Sequence, residues 1–212
     1  MKFKLINKII IFIFFYFSIY FASNHDYPKN WELLHNNLDW KLVKKTEQVS
    51  LYTKNLPDSP LSAYKVELIS HINMHKLLDA AWLVEKSAEI FPGAFISESG
   101  IYNRTNDTSY AAYQIFKIPF LSPRLYQFNS IKSGNMIHWI KTDTININPN
   151  NLLLPPVNFG SWKVISKNGK SKLTYLVCTN PGGNIPHWMI EKVNSYYLPM
   201  MLIDLEQFVL KN

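Results

Sequence analysis

Polar and apolar residues alternate along 172–177, where Lys172 and Thr174 interleave with Leu173, Tyr175 and Val177. This is the period of two expected of a strand with one buried face. Asn180-Pro181-Gly182-Gly183 ends the run, because proline has no N–H for a ladder and glycines reach positive φ without strain. The period then changes. Ile190, Val193, Tyr197, Met200 and Ile203 recur at spacings of three and four and predict an amphipathic helix of about six turns, with these residues on its apolar side. Pro186 suits the first turn of that helix, and Pro199 inside it removes one backbone hydrogen bond and predicts a kink. By period alone the aromatic and methionine side chains of the helix read as ordinary core. A strand turned directly into such a helix predicts a helix laid over a sheet, with space between the two.

The same two periods divide the rest of the chain. Trp31 to Asn37 predicts a short helix. Residues 39–44 and 49–54 read as a hairpin joined by polar Lys45 to Gln48. Ala63 to Ile69 follows as a third strand, with Tyr64, Val66 and Leu68 on one face and Lys65 and Glu67 on the other. Asn73 is placed to cap a helix from Met74 to about Ser87, whose Leu77, Leu78, Ala81 and Trp82 form an apolar side, and Phe91-Pro92-Gly93 stops it. Further strands are expected at 95–102, 110–118, 126–131, 136–142, 162–166 and 173–179, with turns between them. The order is helix, three strands, helix, five or six strands, helix, which is an α+β antiparallel sheet with helices at its ends rather than a doubly wound sheet. No internal repeat or second-domain boundary interrupts it.

Composition narrows the class. The chain has 212 residues, of which 47% are hydrophobic, 15% aromatic and only 17% charged, which suits one well-buried domain and not disorder. The N-terminus stands apart. Lys2, Lys4 and Lys8 precede the charge-free apolar run Ile9 to Ala22, whose 14 residues are short of the ~20 that a spanning helix needs. Residues 1–23 are therefore expected to be an export signal directing the chain to the periplasm or the exterior. An uncleaved signal-anchor is the alternative, because bulky Tyr20 and Phe21 precede the expected cut at Ala22 or Ser23. Residues 24–30 then form a linker and 31–212 the domain.

The net charge of +7 shrinks once the signal is set aside: three of the 22 basic residues lie in 1–22, which contain no acid, so 19 face 15 acids and leave +4. That mild bias assists approach to anionic membranes, but there is no basic cluster with interleaved aromatics, so nucleic acid is not an expected partner.

Cys178, the only cysteine, rules out an intrachain disulfide and reads as a small buried hydrophobe beside the Pro-Gly-Gly turn. His71 and His75 are four apart but straddle a strand end and a helix cap with no third ligand nearby, so no metal site is expected. Asp79 and Glu85 fall on different helix faces and make a poor acid/base pair. With no G-x-S-x-G, H-E-x-x-H or P-loop, the chain is read as a non-enzyme without a cofactor.

Three segments carry a family likeness. Trp40 with Val49-Ser50-Leu51-Tyr52-Thr53-Lys54 and Ala63-Tyr64-Lys65-Val66-Glu67 resembles the opening of a START domain, the steroidogenic-acute-regulatory-protein-related lipid-transfer family. Ile118-Pro119-Phe120-Leu121-Ser122-Pro123-Arg124 is similar to that family's central "P-F-x-x-R-D" turn, with Leu125 in place of the aspartate. Asn180-Pro181-Gly182-Gly183-Asn184-Ile185-Pro186-His187-Trp188 is similar to its "D-P-G-G-x-I-P-x-W" segment, with Asn180 for the aspartate. The likeness spans about Trp31 to Val209 and implies an exported bacterial member with a helix-grip fold, a curved antiparallel sheet around a long C-terminal helix.

It also implies binding, and transfer, of one sterol or phospholipid beneath that helix by a monomer that touches membranes transiently. Gln114 and His138, each isolated among apolar strand residues, are the polar candidates for orienting a ligand, although a hydrogen-bonded core or outward role suits either one better. Tyr175, Tyr197, Met200 and Met201 are the candidate apolar wall. Leu152, Leu153 and Leu154, flanked by prolines, are candidates for a membrane-touching gate, and Gly182, Gly183 and Pro199 are candidate gate or lid residues at the start of and within the C-terminal helix. Arg124 is expected to anchor its turn or to meet a head group. The alternatives are a helix-grip enzyme such as a cyclase acting on a hydrophobic substrate, and an exported interaction scaffold with a filled core.

Overall fold

A computed structural model describes residue 28 and residues 30–57, 62–144 and 151–212. Residues 1–23, where an export signal is expected, most of the expected linker 24–30 and the loop start 148–150 lie outside the described residues. The chain runs through helix α1 (Trp31–His35), strands β1 (Lys41–Lys45), β2 (Val49–Asn55) and β3 (Ser62–Ser70), helix α2 (Met74–Trp82), a 3-10 turn (Val84–Lys86) and helix α3 (Ser87–Ile90). Strands β4 (Ile96–Asn106), β5 (Ser109–Phe116), β6 (Arg124–Ser133), β7 (Met136–Lys141), β8 (Val157–Lys167) and β9 (Lys170–Asn180) follow, and then helix α4 (His187–Lys211).

All nine strands join one curved antiparallel sheet in the order β1-β2-β3-β9-β8-β7-β6-β5-β4. The last strand inserts between β3 and β8, so the N-terminal meander and the later strands become one surface. With α4 against it, this is the helix-grip fold.

The alternation seen in the sequence decides the inner face. Tyr64, Val66 and Leu68 of β3 face inward beside Tyr175, Leu173 and Val177 of β9, and the layer continues through Trp162, Val164, Ile137 and Trp139. Two helices share this face. Helix α2 lies over β7, β8 and β9 with Leu77, Leu78, Ala80 and Trp82, and α4 lies over β2 and β3 and against α2. Asn73 caps α2, its side-chain oxygen accepting the His75 N–H at 2.8 Å. The helix ends at Trp82 rather than near Ser87, and the chain continues as the 3-10 turn and α3, fastened by the Ser87 hydroxyl donating to the Val84 carbonyl at 2.6 Å.

The apolar stripe of α4 differs from the sequence expectation. Leu198, Leu202 and Leu205 are buried and Met201 packs beside them, whereas Val193 and Met200 are exposed. The helix is apolar on several sides, so its period admits more than one stripe, and contact with α2 and β3 selects the one through Leu202. Helix α4 begins at His187 with Pro186 at the N-cap, and Pro199 lies buried within it.

The outer face has its own small core, not anticipated from the sequence. Helix α1 places Leu34 against Ala63, Phe159, Leu176 and Cys178. Lys54, almost fully buried, donates to the Leu33 carbonyl at 2.6 Å and to the Asn36 side chain at 2.5 Å. Its charge thus meets the C-terminal end of α1, where the helix dipole favours a cation.

Candidate functional site

The inner face is not uniform along the strands. Where the C-terminal half of α4 crosses β2 and β3, Leu51, Val66, Leu68, Leu202 and Leu205 are 0–1% exposed. Toward the end of β9 that precedes the Pro-Gly-Gly turn, Phe128, Trp139, Trp162, Tyr175 and Leu198 retain 7–8%. No residue of α4 before Leu198 is buried, so its first three turns cover this end loosely.

The wall here is aromatic. Trp162 and Tyr175 meet with ring centres 4.3 Å apart, Trp139 stacks on Tyr175 at 5.4 Å, and Phe91 lies parallel to Trp162 at 6.3 Å. Gly160 makes this possible. A Cβ at Gly160 would stand 2.2 Å from the Leu176 carbonyl oxygen and 2.5 Å from the Trp139 ring, so only glycine lets the indole lie flat on β8. The Trp139 indole N–H donates to the Asn158 side chain at 3.2 Å.

Two polar groups of this wall are occupied by internal hydrogen bonds. Gln114 donates to the Ser87 hydroxyl at 2.8 Å, and the Tyr110 hydroxyl donates to the Trp82 carbonyl at 3.2 Å. Tyr126 stands near Thr179, and Tyr64 near Asn194 of α4. Burial pushes the phenols of Tyr64, Tyr110, Tyr126 and Tyr175 above their ordinary value, so each stays neutral.

Apolar residues also surround this end from outside. The tight turn closed by the Leu121 N–H on the Ile118 carbonyl holds Phe120 at φ 64 and fully exposed. Leu153 and Leu154 are exposed in the β7–β8 loop, and Trp188 is exposed at the start of α4. Leu153 is tied to the β6 start, its N–H donating to the Pro123 carbonyl and its carbonyl accepting the Leu125 N–H, both at 2.9 Å. Gly182 and Gly183 both have positive φ, and Leu153 lies 3.3 Å from where a Gly183 Cβ would be. Under Leu154 and Pro155 a shallow crevice runs along Leu125, Tyr126, Lys141 and Asn158, open to solvent and without room for a water-sized group. Ligand pockets begin at roughly 300 Å³, so occupation by a lipid requires this loop or the start of α4 to move outward.

The structure separates the sequence candidates. Gln114, Tyr175, Tyr197 and Met201 lie at the inner face or on the helix side toward it, Tyr197 closing against Phe95 at 5.3 Å. His138 does not join them: the β7 alternation turns it to the outer face, where its ring meets Trp31 edge-on at 5.5 Å. Met200 is exposed and forms no wall. Leu152 sits half-buried beside exposed Leu153 and Leu154, and Pro199 is buried where α4 passes from loose to sealed cover. Trp139, Trp162 and Phe128 were not singled out from sequence, although a glycine inside the strand run, Gly160 next to Ser161-Trp162, is the signal that marks a close approach.

No protein-family model and no curated protein matches the sequence. Solved structures match the fold. The STAR-related lipid transfer protein of Xanthomonas axonopodis superposes with a TM-score of 0.69 at 20% identity, over 80% of this chain and 98% of that one. Human STARD10 superposes at 0.74 with 17% identity, over 90% and 80%. A Streptomyces aromatase/cyclase, Zhui, superposes at 0.52 with 12% identity, over 69% and 92%. The chain therefore shares its architecture with START-type lipid transfer domains and, more distantly, with helix-grip enzymes.

Proposed function

We propose that this chain binds one lipid, a sterol or a phospholipid, between the aromatic inner wall and α4, and carries it as a monomer between membranes without chemical change. The observation that carries this reading is the coincidence at one end of the sheet of an aromatic wall with residual exposure and a rim of exposed Phe120, Leu153, Leu154 and Trp188. An apolar wall supplies about 0.8 kcal/mol per buried CH₂, enough for affinity without a dense polar site. A rim of this composition suits brief contact with a bilayer surface while the β7–β8 loop carrying Leu153 and Leu154 moves away from the Gly182-Gly183 turn. The solved START-type neighbours named as lipid transfer proteins support the same reading.

A non-catalytic role fits the side chains. Tyr110 and Gln114 are engaged in internal hydrogen bonds, and no His, Cys, Asp and Glu cluster able to hold a metal occurs among the described residues. Among those residues no helix is long and apolar enough to cross a membrane. Export through residues 1–23 is part of the proposal.

The test is native mass spectrometry of the purified protein after incubation with mixed vesicles of phosphatidylcholine, phosphatidylglycerol and cholesterol. A 1:1 adduct at the mass of one intact lipid, and its delivery to acceptor vesicles, is the expected result. A chain that stays empty throughout, or releases a chemically altered lipid, overturns the reading.

A further inference from the structure

Arg124 opens β6 at the rim end of the inner face and is only 2% exposed. One guanidinium nitrogen, Nη1, donates to the Ser122 carbonyl. Nε is buried with no hydrogen-bond partner. Nη2 lies 3.7 Å from where a Gly183 Cβ would stand, directly under the Pro-Gly-Gly turn. Among the described residues no ion pair joins this cation to a carboxylate: Asp143, at the same end, pairs with Lys141. Position 180 supplies an amide that is itself used to accept the Gly182 N–H at 2.9 Å. A buried, permanently charged guanidinium with an idle donor is costly unless an anion completes it.

The backbone places that anion relative to the wall. Arg124, Tyr126 and Phe128 take alternate positions along the inner side of β6, with Phe128 roughly 13 Å along the strand from Arg124 at ~3.3 Å per residue. Ser130, the next in this series, pairs with Trp139 across β7. A group seated at Arg124 thus has an apolar path leading inward from it.

We infer that Arg124 is the head-group subsite for a phosphate-bearing lipid, with the phosphate at the guanidinium beneath Gly182-Gly183 and the acyl chains running along Tyr126 and Phe128 toward the tryptophans. This rests on the lipid-binding reading above and selects phospholipid over sterol within it. The planar guanidinium favours phosphate, which accepts two parallel N–H bonds.

The deciding experiment extracts lipid from vesicles of phosphatidylcholine doped equally with phosphatidic acid, diacylglycerol of the same acyl chains, and cholesterol, and weighs the bound species by native mass spectrometry. The expected result is phosphatidic acid or phosphatidylcholine over diacylglycerol by at least about tenfold, the scale of one charge-assisted hydrogen-bonded contact. Diacylglycerol or cholesterol extracted as readily as the phospholipids overturns the subsite and leaves lipid binding standing. No extraction of any lipid overturns both. Inorganic phosphate added alone separates lipid from free anion: stabilisation by phosphate in a protein that extracts no phospholipid also overturns the inference. Arg124→Lys is expected to keep part of the preference and Arg124→Leu to erase it while diacylglycerol uptake persists. The wild-type ratio decides the matter should Arg124→Leu fail to fold.

Discussion

The two regions of the inner face belong to one sheet but stand on different strands, the sealed one on β2 and β3 and the aromatic one on β6 to β9, and they pack differently. At the sealed end, under the last turns of α4, branched aliphatic side chains such as Leu51, Leu68, Leu202 and Leu205 interlock until almost no surface remains. At the rim end, large rings stand on the same sheet and retain 7–8% exposure, because no residue of α4 before Leu198 is buried over them. The lesson is a difference along one surface: aliphatic packing closes one region almost completely, and the aromatic region, where lipid binding is proposed, keeps some exposure.

That contrast can be broken by substitution. The largest effect is expected at the sealed end, where Leu202→Ala removes a fully buried side chain and should cost about 2–5 kcal/mol in urea unfolding, with lipid uptake by the remaining folded protein unchanged. If Leu202→Ala abolishes uptake at full stability, the two ends are not separate.

Gly160→Val is expected to cost about 1–3 kcal/mol by driving a side chain into the Leu176 carbonyl and the Trp139 ring. Unlike Leu202→Ala, it should also reduce lipid uptake, read as the fraction of loaded protein, because the displaced indole enters the ligand's path. Gln114→Ala removes one neutral hydrogen bond to Ser87 and should cost about 1 kcal/mol, with uptake retained, since Gln114 serves the α3 contact. Lost uptake with little loss of stability would return Gln114 to the ligand's side of the comparison.

A pH effect should touch neither end. Burial is the main cause holding the His35 imidazole below its usual 6.5, with Lys163 adding to it against the Trp31 carbonyl bond. The unfolded chain therefore binds more protons than the folded one as pH falls below about 6.5, so His35 lowers stability there and has no effect above. Thermal unfolding at pH 7.5 and 5.5 should show a decline that His35→Gln reduces, with lipid selectivity unchanged. Smallest of all, Met200→Ser should shift stability by no more than about 0.5 kcal/mol, because Met200 is solvent-exposed, while Met201→Ser on the packed side should cost more. Equal effects would mean that the helix stripe has been assigned to the wrong side.

Much of this was legible from local pattern. The period of two located the strand cores, Asn73 located the start of α2, and the Asn-Pro-Gly-Gly break located the handover from β9 to α4. Three short segments resembling START motifs carried the helix-grip expectation, which the sheet order and α4 match. Strand β8 reads as 162–166 in the sequence, whereas it runs from Val157 to Lys167 with Gly160 beneath an indole.

The sequence by itself determined the elements, their order and the α+β class, because hydrogen-bond geometry, proline and glycine act within a few residues of chain. Only the tertiary structure decided which face each element shows to which neighbour. His138 has the same local pattern as an inward residue, yet the pairing of β7 with β6 and β8 turns it toward Trp31. Met200 and Met201 differ by one step of a helix that is apolar on several sides, and only the approach of α2 and β3 distinguishes them. Arg124 reads in the sequence as an anchor for its turn or a head-group contact, without a partner being named. Burial beneath a turn from residues 182–183, nearly sixty positions away, is a long-range fact, set by where the whole sheet brings its loop ends together.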